Sequence, residues 1–259
     1  MDSDGFLDFT IGDNDDNIGK KTKRFTVEDG RSYRVTFAWF SIPTKNDKGE
    51  ITGWNDKGAF GSDGKLHPEA QIRFTGCERI YKQGVGYFLY KGPAYAQFGQ
   101  PRQQVATVLI VWPTSKDGDL DAAAFKAGKG WSVQPWVFST DKYSTIKKSH
   151  KRFPLTKHDM ALECPVGGSQ YQKLTFTPEG ESLFQKLLES GKPEHKAVVD
   201  KILADVRAVS ENIHRDMARD LTVDQIKEAL GEAVETPTGS SSGNSHASKN
   251  VDDLLDDVL

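Results

Sequence analysis

The chain has 259 residues and a mass of 28.7 kDa, of which 36% are hydrophobic and 27% are charged. This composition is ordinary for a globular protein, and the length suits one domain of about 200 residues with appended segments. No run reaches the ~18 consecutive apolar residues of a membrane span, and the first twenty residues carry acids where a signal peptide carries bases. We therefore expect a soluble, unexported protein.

Charge is distributed unevenly along the chain. Residues 1–19 hold six acids and no base, and residues 20–160 hold 24 bases and 13 acids, a net charge of +11. Residues 161–234 and residues 235–259 each carry a net charge of -4. A basic body between acidic ends is typical of nucleic-acid-binding proteins that shield their own site.

The first structured part of the chain is predicted to be a hairpin over residues 25–40. A Glu-Asp-Gly turn separates two segments rich in β-branched and aromatic residues. Over residues 33–39, large apolar side chains alternate with smaller or polar ones, which places one face on a core and the other toward solvent or a ligand. Residues 41–69, rich in Gly, Asn, Asp and Lys, predict a long mobile loop or an extended hairpin.

Further strands are predicted at residues 70–81, 84–91, 104–112 and 132–139. The third is apolar almost throughout, which predicts burial on both faces. A short helix is expected at residues 119–128, between the last two strands. Five or so strands with one inserted helix fit the Greek-key barrel of the OB-fold better than an alternating β and α plan. The expected fold class is therefore mainly β with α, an OB-like Greek-key barrel followed by helices and a disordered acidic tail.

The remainder of the chain changes character from strand to helix. A strand pair is predicted at residues 159–165 and 169–177, followed by helices at 177–191, 193–219 and 221–230. The longest helix carries one apolar stripe, which is expected to pack on the barrel or the preceding helix, with a dimer seam as the alternative. The predicted divisions are an acidic then basic N-terminal arm (1–24), an OB-like domain (25–178), a helical segment (179–231) and a disordered linker with an acidic tail (232–259).

Motifs for metal binding or catalysis are incomplete. His67 and Glu69 form an HxE pattern, but a zinc deaminase also needs a downstream PCxxC, and Cys164 stands alone in "ECPVGG". Cys77 and Cys164 form no CxxC, so buried reduced thiols are expected in place of a disulfide framework or a sulfur-rich zinc site. The glycine pairs lack the spacing of a phosphate loop, and no GxSxG elbow occurs. No metal, no cofactor and no enzymatic activity are predicted.

Aromatic and basic residues interleave through the predicted barrel and the basic stretches beside it. Single-stranded nucleic acid offers base faces for stacking on aromatic rings, worth roughly 1–3 kcal/mol per base, and a line of phosphates for contact with Lys and Arg. Trp54 and Tyr143 are favoured for stacking because they stand in polar, basic loops. Core packing is the competing interpretation for each aromatic residue, and a solvated loop is the competing interpretation for residues 147–152. The predicted DNA-binding residues are Lys20, Lys21, Lys23, Arg24, Arg34, Trp39, Trp54, Arg73, Phe74, Tyr81, Lys82, Tyr87, Tyr90, Lys91, Tyr95, Tyr143, Lys147, Lys148, Lys151 and Arg152.

The segment "VDDLLDDVL", residues 251–259, follows a stretch rich in Ser, Gly and Asn. A tethered acidic peptide is expected to compete with DNA phosphates for a cationic groove. Its leucines suit docking into a hydrophobic, basic-rimmed pocket on partner proteins. The predicted partner-binding residues are Asp252, Asp253, Leu254, Leu255, Asp256, Asp257, Val258 and Leu259.

The order of these parts resembles the single-stranded DNA-binding, helix-destabilising proteins of tailed bacteriophages. The likeness lies in "KKTKR" (20–24), "YRVTFAWF" (33–40), the helical C-terminal third, the Ser/Gly linker and the terminal "VDDLLDDVL". The resemblance implies an OB-fold that binds single-stranded DNA without enzymatic activity, in the cytoplasm of an infected bacterium. It also implies a tail that recruits polymerase, helicase, primase or recombination factors. Some members hold a structural zinc with a His and three Cys, which the two cysteines of this chain cannot supply.

The predicted function is thus sequence-tolerant binding of single-stranded DNA in phage DNA replication, recombination and repair, with partners recruited through the tail and self-association on DNA as a further expectation. The alternative is a transcription coactivator or adaptor that recruits RNA polymerase. A metal-dependent nucleic-acid-processing enzyme is a third class, which would depend on His67 or Glu69.

Overall fold

The computed structural model describes residues 24–84, 86–92, 102–167 and 174–231. Its strands are β1 (Ser32–Phe37), β2 (Phe40–Lys45), β3 (Ile51–Asn55), β4 (Gln71–Ile72), β5 (Thr75–Lys82), β6 (Gly86–Tyr90), β7 (Arg102–Val111), β8 (Ser132–Ser139), β9 (His158–Glu163) and β10 (Thr175–Glu181). Its helices are α1 (Ala122–Lys126), α2 (Thr140–Arg152), α3 (Leu183–Glu189), α4 (Pro193–Asn212) and α5 (Val223–Ala229), and a π-helical turn, Ile213–Met217, follows α4. No helix in the described ranges is both long and apolar enough to cross a membrane.

The strands form two antiparallel sheets. The larger has the order β10-β9-β1-β7-β5-β6, and the smaller has the order β3-β2-β4. Strand β7 is the centre of the larger sheet, because β5 and β1 pair end to end along one of its edges while β8 pairs along the other. The mainly β fold with helices is therefore confirmed. Neither sheet closes on itself within the described residues, so the OB-like barrel stays a prediction.

The apolar run of β7 is buried on both faces, as predicted. Ala106, Val108 and Ile110 pack on one side, in a core shared with α3 and α4. Val105 and Leu109 pack on the other side, in a core shared with β1, β9 and α2. Because side chains alternate along a strand, a run that is apolar at nearly every position serves two cores at once.

The long helix α4 packs its apolar stripe on this sheet. Val199, Ile202, Val206 and Val209 are buried in the core that also contains Ile110. The stripe is therefore core surface, and the packing interpretation is confirmed over the dimer seam. The last helix, α5, begins with the predicted cap, in which Thr222 and Gln225 form a capping box.

The predicted hairpin over residues 25–40 does not form. The Phe25 N–H donates to the Pro135 carbonyl at 2.8 Å, so this segment runs beside β8, and β1 pairs with β7 and β9. The second face of β1, expected to meet solvent or a ligand, is also covered, because Thr36 and, just after the strand, Ala38 are both buried.

Other boundaries differ where a tertiary contact overrides local pattern. Residues 41–69 form the extended hairpin β2–β3, which was one of the two predicted alternatives. The strand predicted at 70–81 is divided into β4 and β5, because the Arg73 N–H turns away to donate to the Trp39 carbonyl at 2.6 Å. Strand β10 pairs with β9 as far as Glu181, so the predicted boundary at 178 falls inside a strand and α3 begins at Leu183.

Residues 140–152 form helix α2, although the sequence placed Tyr143 in a basic loop and left residues 147–152 open to interpretation as a solvated loop. One acid, Asp141, stands in its first turn and three basic residues stand in its last turn, an arrangement that complements the helix dipole. Ile146 anchors the helix in the core below it. Tyr143 and the cluster at 147–152 are therefore held on a rigid element.

Candidate nucleic-acid interface

One face of hairpin β5–β6 carries tyrosines and arginines together. The register sets Tyr81 opposite Tyr87, and Arg79 opposite both Leu89 of β6 and Arg102 of β7. Residues directly opposite in antiparallel strands project to the same side of the sheet. Arg79, Tyr81, Tyr87 and Arg102 therefore share one surface, which we name the Tyr–Arg face.

The Tyr–Arg face is open and strongly cationic. Tyr81 is 56% exposed, and its ring centroid lies 5.0 Å from that of Tyr87. The Arg79 guanidinium lies over the Tyr87 ring at 4.6 Å from its centroid. In the described part of the chain, no carboxylate forms an ion pair with Arg79 or Arg102. Like charges directly opposite across strands are destabilising, so an anionic ligand here would relieve a repulsion.

The opposite face of the same hairpin is closed by α5. Ile80, Phe88 and Tyr90 pack with Leu221, Ile226 and Leu230 in a separate small core. The Lys82 ammonium, which points to this side, donates to the Leu230 carbonyl. The hairpin is thus fixed from behind, and only the Tyr–Arg face is presented outward.

A narrow cleft continues the Tyr–Arg face toward β8. Arg24 and Lys142 line it together with Arg79 and Tyr87, over an apolar floor that includes Trp136. Burial lowers the pKa of Lys142, against the opposing effects of Cys164 and Asp141. We name this cleft, with its cationic residues Arg24, Arg79 and Lys142 beside Tyr87, the basic cleft.

A second concavity adjoins the basic cleft, and Gln104 lines both. This groove has a volume of about 480 Å³, and Phe74, Lys91 and Tyr143 are among its lining residues. The Phe74 and Tyr143 ring centroids are 5.1 Å apart. Glu78 adds a carboxylate to the lining. Three of the predicted DNA-binding residues are therefore brought together here, in what we name the Tyr143 groove.

The outer face of α2 extends from the Tyr143 groove as a basic surface. Lys147, Lys148, Lys151 and Arg152 are all exposed, on the side of the helix opposite buried Ile146. None of the four forms an ion pair among the described residues. A solvated helix surface is the plain structural interpretation of this cluster, but its position beside two cationic concavities makes it part of one larger basic region.

Four predicted DNA-binding residues are structural, and they are withdrawn from the interface. Trp39 and Tyr90 are core side chains with no ring face open to a base. Arg34 donates to the buried Asp159 carboxylate at 2.9 Å and to the Glu181 carbonyl at 3.3 Å.

The fourth residue, Arg73, has a similar structural role. It donates to both oxygens of Asp56 at 3.0 and 2.9 Å, and its guanidinium lies 4.9 Å from the Trp39 ring centroid. Both arginines are thus already engaged by the fold.

The remaining predicted residues are divided between other places. Trp54 is half-buried on the smaller sheet and lines neither concavity. Lys82 is held against α5, and Lys91 lines the Tyr143 groove while it pairs with Asp220 at 3.8 Å. The predictions that lie outside the described residues are Lys20, Lys21, Lys23, Tyr95 and all eight partner-binding residues from Asp252 to Leu259.

Sequence reasoning missed Arg79, Arg102 and Lys142. Arg79 stands two residues before Tyr81 in a predicted strand, so alternation alone could have placed the two on one face. Arg102 needed the register between β5 and β7, and Lys142 needed the helical state of α2. Neither fact can be read from a short stretch of sequence.

Comparison of this chain with known protein families, with curated proteins and with solved structures found no match.

Proposed function

We propose that this protein binds single-stranded DNA without sequence preference and performs no chemical step on it. The observation that carries the proposal is the Tyr–Arg face, where the exposed Tyr81 and the half-buried Tyr87 lie beside two arginines that the described carboxylates do not neutralise. Aromatic rings that stack on bases, beside cations that contact phosphates, are the means by which single strands are bound.

The geometry favours single strands over duplexes. The ring of Tyr81 projects from the surface of a sheet, where it can reach only a base that is unstacked and unpaired. A duplex hides the faces of its bases and leaves the phosphates alone for binding, which gives weaker and more salt-sensitive association. Because every base has a π-face, stacking is tolerant of sequence.

The biological setting is part of the same proposal. We place the protein in the DNA replication, recombination and repair of a bacteriophage, in the cytoplasm of the infected cell, on the basis of the resemblance in the order of its parts. In this setting it protects single strands, and the segment Asp252 to Leu259 recruits partner proteins.

The test is the affinity for fluorescein-labelled oligo(dT) and for a labelled duplex, measured by anisotropy at two salt concentrations. We expect tighter binding to the single strand. Tyr81→Ala should weaken that binding about tenfold, the effect of losing one base stack. Ile51→Ala is the matched control, because it removes a similarly exposed apolar side chain from the other sheet and should leave the affinity unchanged.

Two outcomes would contradict the proposal. Equal affinity for single strand and duplex would show that only phosphates are contacted. If the Tyr81→Ala variant bound the single strand and the duplex as tightly as the unsubstituted chain, the Tyr–Arg face would not be the site.

A further inference from the structure

We infer that the single-strand site continues along α2 to a second stacking position at Phe153. The inference rests on the proposed function and lengthens its site. Phe153 directly follows the last residue of α2, and the residue is 42% exposed. The ring is held edge-on against His158, with centroids 5.7 Å apart and an interplanar angle of 86°. An oriented, half-open aromatic ring at a helix end is a suitable surface for one base.

A row of cations runs along α2 between Tyr143 and the helix end that carries Phe153. Tyr143, Lys147 and Lys151 are four residues apart, so they form one row along the surface of α2. Lys157 is exposed beyond the helix, and it too has no ion-pair partner among the residues described. At roughly 1.5 Å per residue, Tyr143 and Phe153 are about 15 Å apart along the helix axis. That distance is about four nucleotides at the B-form rise of roughly 3.4 Å, and fewer where the strand is extended.

Helix stability does not account for this arrangement. Basic side chains in the last turn of α2 complement the helix dipole, but Lys147 and Lys148 lie before that turn. Lys147 with Lys151 and Lys148 with Arg152 are like-charge pairs at i,i+4, and such pairs destabilise a helix. A row of phosphates would remove this repulsion, so the row is better suited to an extended anion than to an isolated helix.

The length of the oligonucleotide separates the two stacking positions. We would measure the dissociation constants of (dT)3, which is too short to span the distance from Tyr143 to Phe153, and of (dT)20. Both are measured for the full chain and for Phe153→Leu, which keeps an apolar side chain but removes the ring. We expect the substitution to weaken (dT)20 about tenfold, the effect of one lost stack, and to change (dT)3 less than twofold.

The charge row is tested through the salt dependence of (dT)20 binding. Lys147→Ala with Lys151→Ala should lower the slope of log affinity against log salt by about 1.4, roughly 0.7 for each lost phosphate contact on a single strand. The matched control is Lys45→Ala with Lys48→Ala, two exposed lysines of hairpin β2–β3, which should leave the slope unchanged.

Each alternative result decides against the inference in a distinct way. Unchanged (dT)20 affinity in Phe153→Leu would limit the site to the Tyr–Arg face and its two concavities, with the proposed function intact. An equal loss on both oligonucleotides, at an unchanged free energy of unfolding, would put Phe153 inside the primary site and overturn the extension. Failure of the unsubstituted chain to bind either oligonucleotide would overturn the proposed function and the extension together.

Discussion

Two regions of the molecule hold their cations in opposite ways. Around Arg34 and Arg73, each guanidinium is engaged by a carboxylate and by a backbone carbonyl or an aromatic ring of the same chain. Across the Tyr–Arg face and the outer surface of α2, the cations have no such carboxylates within the described residues. The first region uses positive charge to join elements of the fold, and the second leaves it available for an external anion.

The comparison shows that residue type does not reveal the role of a strand arginine. Arg34, Arg73, Arg79 and Arg102 all stand in or beside strands with aromatic or apolar neighbours. Their roles differ because long-range pairing brings Asp159 to Arg34 and Asp56 to Arg73, while it brings Arg102 to Arg79. The side chain that the fold brings beside an arginine decides whether that arginine is structural or available.

The largest effect on stability is expected where an ion pair of the first region, around Arg34 and Arg73, is removed. Arg34→Met should lower the free energy of unfolding by about 3 kcal/mol, because it leaves the buried Asp159 carboxylate without its cation. Burial already raises the pKa of Asp159, and a protonated carboxyl needs no cation, so the loss should shrink as the pH falls. Urea unfolding at neutral and acidic pH measures both quantities.

The same variant also tests whether Arg34 takes part in DNA binding. A folded Arg34→Met protein should bind oligo(dT) as tightly as the unsubstituted chain. Weakened binding at unchanged stability would instead move Arg34 into the available set of cations.

A smaller effect on stability is expected at Asp56, the carboxylate partner of Arg73. Burial raises the pKa of Asp56, but the His214 side chain at 3.8 Å, the hydrogen bond from the Ser41 hydroxyl and the Arg73 guanidinium together outweigh burial and hold the pKa at about 2. A carboxyl pKa below its unfolded value of about 4 stabilises the fold above pH 4, and this stability is lost as the pH falls toward 2. Since the Asp56 side chain is 33% exposed, we discount the contribution for solvent screening to about 1 kcal/mol.

Asp56→Asn should therefore cost about 1 kcal/mol of unfolding free energy at pH 7 and progressively less toward pH 2. Unfolding in urea across this range checks the expectation. Asp63→Asn, at an exposed turn, is the control with little expected change. A difference between Asp56→Asn and the unsubstituted chain that stayed constant with pH would mean that the Asp56 charge is not what stabilises the cluster.

The smallest effect concerns the available cations and the acidic segment. Removing residues 235–259 removes a net charge of -4. If this segment competes for the basic surface, the affinity for oligo(dT) should rise several-fold at low salt, and the difference should vanish at high salt because charge interactions are screened. Replacing the four aspartates of 252–257 by asparagine is the matched control for the loss of length. Identical affinities of the three proteins at low salt would rule out this competition.

The sequence alone predicts those parts of the fold that local pattern determines. Strands β7 and β8 and helix α5 are short segments whose apolar pattern or caps are complete in themselves. The pattern did not predict α2, because its polar sequence buries a single residue, Ile146, in a core built from distant strands. The sequence predicts that the site is built from aromatic and basic residues, but it does not predict which of those residues belong to it. Burial withdraws Trp39 and Tyr90, and the register of β5 with β7 supplies Arg102.

Hairpin β5–β6 is a single layer of two strands, with the Tyr–Arg face on one side and α5 packed against the other. Tyr87 and Phe88 are consecutive in the chain, yet the first contacts Tyr81 on the open side and the second belongs to the core beneath α5. A ligand that prefers the hairpin shape to which α5 docks must therefore strengthen that docking by the same free energy with which α5 strengthens ligand binding. The chain continues from α5 toward the segment that we propose recruits partners. A ligand bound on the Tyr–Arg face would therefore change the stability of the helix from which that segment extends.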